Sequence, residues 1–260
     1  MINIQRNIIQ IDGRDILYYQ AGHGEPLVVI HGGGGDARTW LDNISELGEK
    51  FTVYAPDLPG FGGSEPLEGN YFIPELSEFI DKFATSLGLE EFHVMGHSLG
   101  GGVALDYALR SPHKIKKLVL ISSLCLGSEI AFWIRLLSIP ALIKYTSSLF
   151  LAVSRGIKWL LKYLNPAELI ITMTPASLAI GSNITTFKQQ THILENRLSE
   201  VRMPTLLVWG GKDPVVPVSQ AYKAATAIPD CQVKVFRKSG HNVHRQELQR
   251  FSDIITKFLG

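Results

Sequence analysis

Apolar residues along this chain follow two patterns that alternate. Short continuous apolar runs bounded by glycine or proline are typical of strands buried on both faces. One such run occupies residues 27–30, and segments rich in apolar residues predict further strands at residues 51–56, 92–95, 115–122, 205–209 and 233–236. Apolar residues at helical spacing predict helices over residues 73–87, 218–227 and 243–259. Strands that alternate with helices predict an α/β protein with a mostly parallel sheet.

The N-terminal segment has a different pattern. Two β-branched and aromatic runs, at residues 2–11 and 16–19, are separated by Asp12-Gly13. This dipeptide is a strong hairpin signal. We therefore expect an antiparallel hairpin ahead of the parallel strands.

The alternation stops between Leu126 and Arg202, where the chain predicts helices and loops with an apolar surplus. We expect a core domain of residues 1–125 and 203–260, with a helical cap inserted at residues 126–202. Between Ile130 and Ala167 the cap has no acidic residue, and its basic residues are Arg135, Lys144, Arg155, Lys158 and Lys162. These charges either face water or form an amphipathic surface for weak contact with anionic lipid, an acidic substrate or a partner.

Composition excludes several classes of function. A formal net charge of +1 argues against nucleic acid as the main partner. The two cysteines, Cys125 and Cys231, indicate neither a disulfide framework nor a zinc site, and we expect no metal. The first residues do not form a signal peptide, so a soluble cytoplasmic protein is the default expectation. The oligomeric state stays open.

The candidate chemistry centres on Gly96-His97-Ser98-Leu99-Gly100, which follows an apolar strand and precedes a helix of small residues. This is the G-x-S-x-G pattern in the strand–turn–helix context that a nucleophilic serine requires. A Cβ at Gly96 or Gly100 would collide with the turn. We interpret Ser98 as a nucleophile; the alternative is a glycine-rich turn with a helix-capping serine.

Two later loops contain the partners that a nucleophilic serine needs. Asp213 follows the strand at residues 205–209, and His241 follows the last strand. Because the carboxyl ends of parallel strands share one edge of the sheet, Ser98, Asp213 and His241 are expected to meet there. A serine, an acid and a histidine can form a nucleophile, an orienting group and a base. The alternatives are that Asp213 is a turn residue and that His241 is one of eight unrelated histidines.

The same edge is predicted to include a glycine-rich loop after the strand at residues 27–30, beginning His31-Gly32-Gly33-Gly34-Gly35. Its backbone N–H groups can approach a substrate closely. We expect the Gly33 and Leu99 N–H groups to form an oxyanion hole, with Gly34 as the substitute for Gly33.

Taken together, these motifs resemble those of the α/β-hydrolase superfamily, in its esterase, lipase and carbon–carbon hydrolase branch. The resemblance covers nearly the whole chain outside the cap. It rests on five motifs in one order: His31-Gly32-Gly33-Gly34, residues 57–64, residues 96–101, Gly210-Gly211-Lys212-Asp213 and Gly240-His241. It implies an eight-stranded, mostly parallel sheet flanked by helices, a helical cap after the sixth strand, and no cofactor.

The resemblance also bears on substrate class. Ser98 stands where haloalkane dehalogenases and epoxide hydrolases have aspartate. The residue after His241 is Asn242, where hydrolases of meta-cleavage products usually have tryptophan, and Gln246 stands where many relatives have glutamate. We therefore expect a serine esterase of carboxylic esters with an apolar acyl group, acting through an acyl-enzyme. A carbon–carbon hydrolase of the meta-cleavage-product type is the alternative, and a non-catalytic ligand-binding protein is the third hypothesis.

Several further residues are candidates for the substrate pocket: His97, Trp133, Trp159 and Asn242. Apolar packing explains the tryptophans equally well, and His97 is expected to be structural more than catalytic. His31 is expected to shape the glycine-rich loop, which is to bind the oxyanion, through hydrogen bonds. Asp57 and Ser64 are expected to hold the loop after the strand at residues 51–56, and His244 has no assignable role.

Overall fold

A computed structural model describes residues 2–69, 72–135, 179–180 and 183–260 of the chain. Within them the chain forms one eight-stranded sheet. The strands are β1 (Gln5–Ile11), β2 (Arg14–Ala21), β3 (Glu25–Ile30), β4 (Phe51–Pro56), β5 (Phe92–His97), β6 (Ile115–Ile121), β7 (Thr205–Gly210) and β8 (Cys231–Phe236).

The described helices connect these strands in chain order. They are α1 (Leu41–Leu47), α2 (Ile73–Ser86), α3 (Leu99–Arg110), α4 (Phe132–Arg135), α5 (Ser219–Ala227), α6 (Val243–Gln246) and α7 (Leu248–Leu259). Short 3₁₀ turns occupy Ala37–Trp40, Pro112–Lys114 and Glu195–Glu200.

The strand order is β1-β2-β4-β3-β5-β6-β7-β8. β1 pairs with β2 and β2 with β4 in antiparallel orientation, whereas every pair from β4 to β8 is parallel. This confirms the predicted eight-stranded, mostly parallel α/β fold. Because β3, β5, β7 and β8 run in one direction, the loops that follow them emerge at the same edge.

The apolar core lies on both faces of the sheet. Along β3, Val28 and Ile30 pack on the face covered by α2, α3 and α5, while Leu27 and Val29 pack on the face covered by α1 and α7. Burying one such side chain contributes about 1.5–3 kcal/mol. Continuous apolar runs are therefore what the inner strands require, since both faces are covered.

Two local predictions have different outcomes. The N-terminal hairpin is present, with Asp12 at φ +50° and Gly13 at φ +74° in the turn between β1 and β2. The single helix predicted for residues 243–259 is wrong, because it is divided into α6 and α7. Glu247 separates them at φ −126° and ψ +40°, and its side chain accepts a hydrogen bond from the Ser239 hydroxyl at 2.8 Å.

The predicted cap lies largely outside the described residues. What is described of it consists of residues 126–135, 179–180 and 183–202, and its boundaries stay a prediction. Of the basic residues singled out there, only Arg135 falls in the described part; the other four lie outside it. In the described part of the chain, no helix combines the length and the apolar character needed to cross a membrane.

Candidate active site

Ser98 occupies the sharp turn between β5 and α3. Its backbone has φ +54° and ψ −114°, a conformation that costs a non-glycine residue about 1–3 kcal/mol. Its amide donates to the Ile121 carbonyl at 2.9 Å, and its carbonyl accepts from the Leu124 amide at 3.0 Å. The Ser98 hydroxyl makes no capping hydrogen bond to α3, so the helix-capping alternative does not describe it.

Glycines allow the backbone to turn this tightly. A Cβ on Gly96 would lie 2.1 Å from the Gly100 carbonyl oxygen, and a Cβ on Gly100 would lie 2.4 Å from the Ile30 carbonyl oxygen. Real Cβ atoms do not approach backbone oxygens so closely. The predicted steric requirement for glycine at both positions is therefore confirmed.

Asp213 and His241 lie together at the same edge of the sheet. Nδ1 of His241 donates to the Asp213 carboxylate, at 3.0 Å from Oδ1 and 2.9 Å from Oδ2. The Asp213 side chain is fully buried, whereas the His241 side chain is 14% exposed. Asp213 also accepts the Val215 and Val216 amides at 2.8 and 3.0 Å, so it shapes its own turn as well as contacting the histidine.

The charge of Asp213 is stabilised in this setting. Burial acts to raise the pKa of its carboxyl, but the hydrogen bond from His241 and those from the Val216 and Val215 amides outweigh burial. The pKa of Asp213 consequently lies below its ordinary value. An ionised Asp213 holds the proton of His241 on Nδ1, which leaves Nε2 as the basic nitrogen.

The loop that presents His241 is fixed by α6 and by the turn after β7. The Gln246 side chain accepts the Gly240 amide at 2.8 Å, and the Lys212 amide donates to the Ser239 carbonyl at 2.9 Å. A Cβ on Gly210 would lie 2.0 Å from the Gly240 carbonyl oxygen. The two loops that present Asp213 and His241 are therefore in direct backbone contact.

His97 lies on the buried side of His241, towards the core. Its Nε2 donates to the His241 carbonyl oxygen at 3.0 Å, and the two rings are 4.7 Å apart. His97 is only 7% exposed, and burial, followed by the charge of His241, lowers its pKa to about 3. This position suits a supporting role better than the pocket-lining role considered from the sequence.

The glycine-rich loop after β3 lies against the start of α3. A Cβ on Gly33 would lie 3.4 Å from Cδ2 of Leu99, whereas Gly34 is exposed and no atom lies within 4 Å of where its Cβ would be. Among the described residues, the Gly33 and Leu99 N–H groups have no acceptor. Gly33 is thus the better placed of the two glycines to pair with Leu99, and the oxyanion assignment stays a prediction.

His31 holds this glycine-rich loop, and Asp57 holds the segment that follows it together with the loop after β4. Nδ1 of His31 donates to the Gly32 carbonyl and Nε2 accepts the Leu58 amide, both at 2.9 Å, which defines a neutral tautomer. Burial lowers the pKa of His31. Asp57 accepts the Ala37 amide at 2.8 Å and the Gly63 amide at 2.7 Å. Both side chains use their polar atoms for structure.

The remaining pocket candidates differ in how far they are described. Asn242 is half-buried and precedes α6, where its carbonyl accepts the Arg245 and Gln246 amides at 3.0 Å. Trp133 belongs to α4, but its side chain is outside what the structure describes, and Trp159 lies outside the described residues. Their assignment to the pocket stays a prediction.

A cavity of about 260 Å³ lies beside Asp213, between the turn after β7 and residues 128–131. Besides Asp213, its charged lining residues are Glu129, Arg135 and Lys188. Within the described ranges, no group of three or more histidine, cysteine or acidic side chains is arranged as a metal site.

Two residues near the site make contributions that could not be foreseen from the sequence. Gln190, in the segment that returns from the insertion, is buried and accepts the Cys125 amide at 2.8 Å. The ring of His244 packs at a tilt against the ring of His97, with 4.5 Å between the ring centroids. Both residues stand among other polar residues in the sequence, and that local pattern does not specify a partner for either.

The chain is similar to known proteins in both sequence and structure. A family model described as "alpha/beta hydrolase fold" matches residues 25–144 and 130–248. The dihydrolipoyllysine-residue acetyltransferase component of the acetoin cleaving system of Cupriavidus necator is 30% identical over 256 residues, which cover 96% of this chain and 68% of that protein.

Two further proteins are similar over most of their length. The 2-hydroxy-6-oxo-6-phenylhexa-2,4-dienoate hydrolase of Burkholderia cepacia is 25% identical over 264 residues, which cover 92% of this chain and 89% of that protein. The crystal structure of a hydrolase from Pseudomonas aeruginosa has a TM-score of 0.80 at 22% identity and covers 98% of both chains.

Proposed function

The chain belongs to the α/β-hydrolase fold family, and on that premise we propose that it is a serine hydrolase that cleaves carboxylic esters with an apolar acyl group. The observation that carries the proposal is the hydrogen bond from His241 Nδ1 to Asp213, at the edge of the sheet where Ser98 follows β5. This arrangement offers a base with a fixed tautomer at the same edge of the sheet as a serine whose backbone is strained and whose hydroxyl does not cap α3.

In the proposed reaction, His241 Nε2 takes the proton of the Ser98 hydroxyl while Asp213 holds the imidazole. The Ser98 oxygen attacks the ester carbonyl, and the Gly33 and Leu99 N–H groups bind the resulting oxyanion. The C–O bond then breaks, the leaving alcohol takes the proton from His241, and an acyl-enzyme remains. Water, deprotonated by His241, attacks the acyl-enzyme and releases the carboxylic acid with Ser98 restored.

A carbon–carbon hydrolase is the second candidate. It is favoured by the similarity to a hydrolase of 2-hydroxy-6-oxo-6-phenylhexa-2,4-dienoate over 92% of this chain. Asn242 favours ester cleavage over carbon–carbon cleavage, because it occupies the position where hydrolases of meta-cleavage products usually have tryptophan. The same three side chains would act in either reaction, so substrate specificity distinguishes the candidates.

The test compares initial rates on p-nitrophenyl esters from acetate to palmitate for the wild type, Ser98→Ala and the control Ser111→Ala, at the end of α3. We expect the Ser98 variant to lose at least about a thousandfold in kcat, and the control to retain wild-type rates. Near-normal turnover by Ser98→Ala would overturn the assignment of the nucleophile. Wild-type turnover of a coloured dienoate, but of no ester, would favour the second candidate.

A further inference from the structure

Behind His241 there is a row of aromatic rings, each tilted against the next, of which the proposed reaction uses only His241 itself. The rings follow in the order His241, His97, His244 and Trp40, with centroid separations of 4.7, 4.5 and 4.4 Å. We call these four residues the histidine column. Only His241, at its outer end, is partly exposed, and the other three side chains are buried. The column thus extends from the candidate site into the core.

Within the column, His97 contacts His241 in two independent ways. Its Nε2–H donates to the His241 backbone carbonyl at 3.0 Å, and its ring lies against the His241 ring at an interplanar angle of 53°. The hydrogen bond fixes the backbone from which the imidazole extends, and the ring contact restricts side-chain rotation. Asp213 holds the far side of the same imidazole through Nδ1. Together these contacts leave His241 little freedom to move.

The inner rings are neutral, which matters because His241 becomes positively charged when it accepts a proton. Burial is the main cause of the low pKa of His97, and it also lowers the pKa of His244 well below its ordinary value. A protonated ring next to His241 would repel its positive charge. The other titratable or charged groups that act on the column are Asp213, His31 and Arg245.

His244 holds His97 from the inner side. Its carbonyl accepts the Asn43 side-chain amide at 3.0 Å, and its ring packs on Trp40 and, at 6.2 Å, on Phe251. In the described part of the chain, neither ring nitrogen of His244 has a hydrogen-bond partner. Its ring therefore acts by packing, and a phenylalanine of similar shape would fulfil the same role.

We propose that His97, held in place by His244, is a positioning residue that fixes the ring orientation of His241. The inference rests on the proposed function, because it concerns the same histidine. His97 makes no covalent bond and takes no proton in the reaction. Its effect is on the geometry of the base, and misplacing a reacting group by about 1 Å can reduce the rate about a hundredfold.

The test separates the two contacts of His97 and uses a matched control. His97→Phe keeps a ring and removes the donor, whereas His97→Gln keeps a donor and removes the ring. His93→Gln changes another buried histidine of β5, whose ring is paired with Glu25 at 2.8 Å. His244→Phe tests packing alone. For each variant we would record the NMR signal of the His241 Nδ1 proton, the pH titration of the His241 ring, kcat and KM on the preferred ester, and Tm.

We expect both His97 variants to lose about tenfold or more in kcat with KM within about threefold, and to shift or broaden the Nδ1 proton signal. We expect His93→Gln and His244→Phe to leave kcat and that signal as in the wild type. Folded His97 variants with an unchanged His241 signal and wild-type kcat would overturn the proposal. The NMR measurement needs no substrate, so it decides the positioning role even if the wild type cleaves no ester.

Discussion

The side-chain oxygen of Gln190 accepts a 2.8 Å hydrogen bond from the backbone amide of Cys125. Gln190 also donates from Nε2 to the Glu129 carbonyl at 3.0 Å. Cys125 has φ +71°, and the preceding Leu124 amide donates to the carbonyl of Ser98. The segment that returns from the insertion is therefore connected, through a strained stretch of backbone, to the proposed nucleophile.

Replacing Gln190 with leucine is expected to destabilise the fold and to slow turnover. It removes one buried and one partly buried hydrogen bond, which together contribute about 1–3 kcal/mol. Relaxation at Cys125 also displaces the Leu124 amide from Ser98, so kcat should fall more than KM rises. Urea unfolding and steady-state kinetics measure both effects. Gln189→Leu, at an exposed neighbouring position, should change neither; equal effects in the two variants would contradict the connection.

Two glycines in the loop after β3 are expected to differ sharply in their tolerance of alanine. A Cβ on Gly32 would lie 2.8 Å from His97 Nδ1 and 3.3 Å from Ser98 Cβ, whereas a Cβ on Gly34 meets nothing within 4 Å. Gly32→Ala should therefore displace His97 or Ser98 and reduce kcat about tenfold or more. Gly34→Ala should retain the wild-type rate. Similar rates for the two variants would show that the packing beside Ser98 does not matter for turnover.

Asp213→Asn is expected to reduce kcat by about a thousandfold or more with little change in stability. The asparagine oxygen can still accept the Val215 and Val216 amides, so the turn is retained. It cannot provide the negative charge that holds the His241 proton on Nδ1. Kinetics and thermal unfolding of this variant would be compared with those of Asp230→Asn, at an exposed position. A loss below tenfold in kcat would exclude Asp213 as the acid.

Acid should destabilise the protein partly through Asp106 in α3. This buried carboxylate accepts from His192 Nε2 at 3.1 Å and pairs with Arg110 at 2.6 Å. Burial acts to raise its pKa, but the hydrogen bonds from His192 and Ser77 and the charge of Arg110 outweigh burial and hold the pKa below its ordinary value. A lowered pKa in the folded state stabilises the fold above about pH 4, and this contribution is lost as the pH falls further.

Asp106→Asn tests that contribution. At pH 7 the variant should lose about 1–2 kcal/mol of unfolding free energy, since Arg110 stays half-exposed and solvated. The difference from the wild type should shrink below about pH 4. Urea unfolding at pH 7 and in acid measures it, with Asp42→Asn, at an exposed position, as the control. A difference that persists unchanged in acid would rule out this titration.

Much of the fold follows from local sequence because the inner strands are buried on both faces. The run at β3 is apolar throughout, since neighbouring residues pack into different cores. The break between α6 and α7 could not be predicted in this way. Residues 243–259 contain no glycine or proline, and what interrupts the helix is the contact of Glu247 with Ser239 in a preceding loop. A tertiary hydrogen bond here overrides a periodic pattern.

In the candidate site, too, some residues could be predicted from the sequence and others could not. Ser98, Asp213 and His241 could be proposed because each follows a strand, and the sheet brings those strand ends to one edge. The histidine column could not be foreseen. Asn43 and His244 are 201 residues apart, and neither has a local pattern that points to the other. Residues that position a site through packing come from distant parts of the chain, so spacing does not reveal them.

The positive φ of Ser98 lowers the stability of the fold at the residue that is proposed to react. Glycine adopts a positive φ without the cost of about 1–3 kcal/mol that serine bears there, so Ser98→Gly should yield a chain that is more stable and has no hydroxyl. Glycine fits this backbone conformation better than serine does. Selection for reactivity would retain Ser98, whereas selection for stability alone would favour glycine. Ser98, the residue proposed to make this protein an enzyme, therefore lowers its thermal stability.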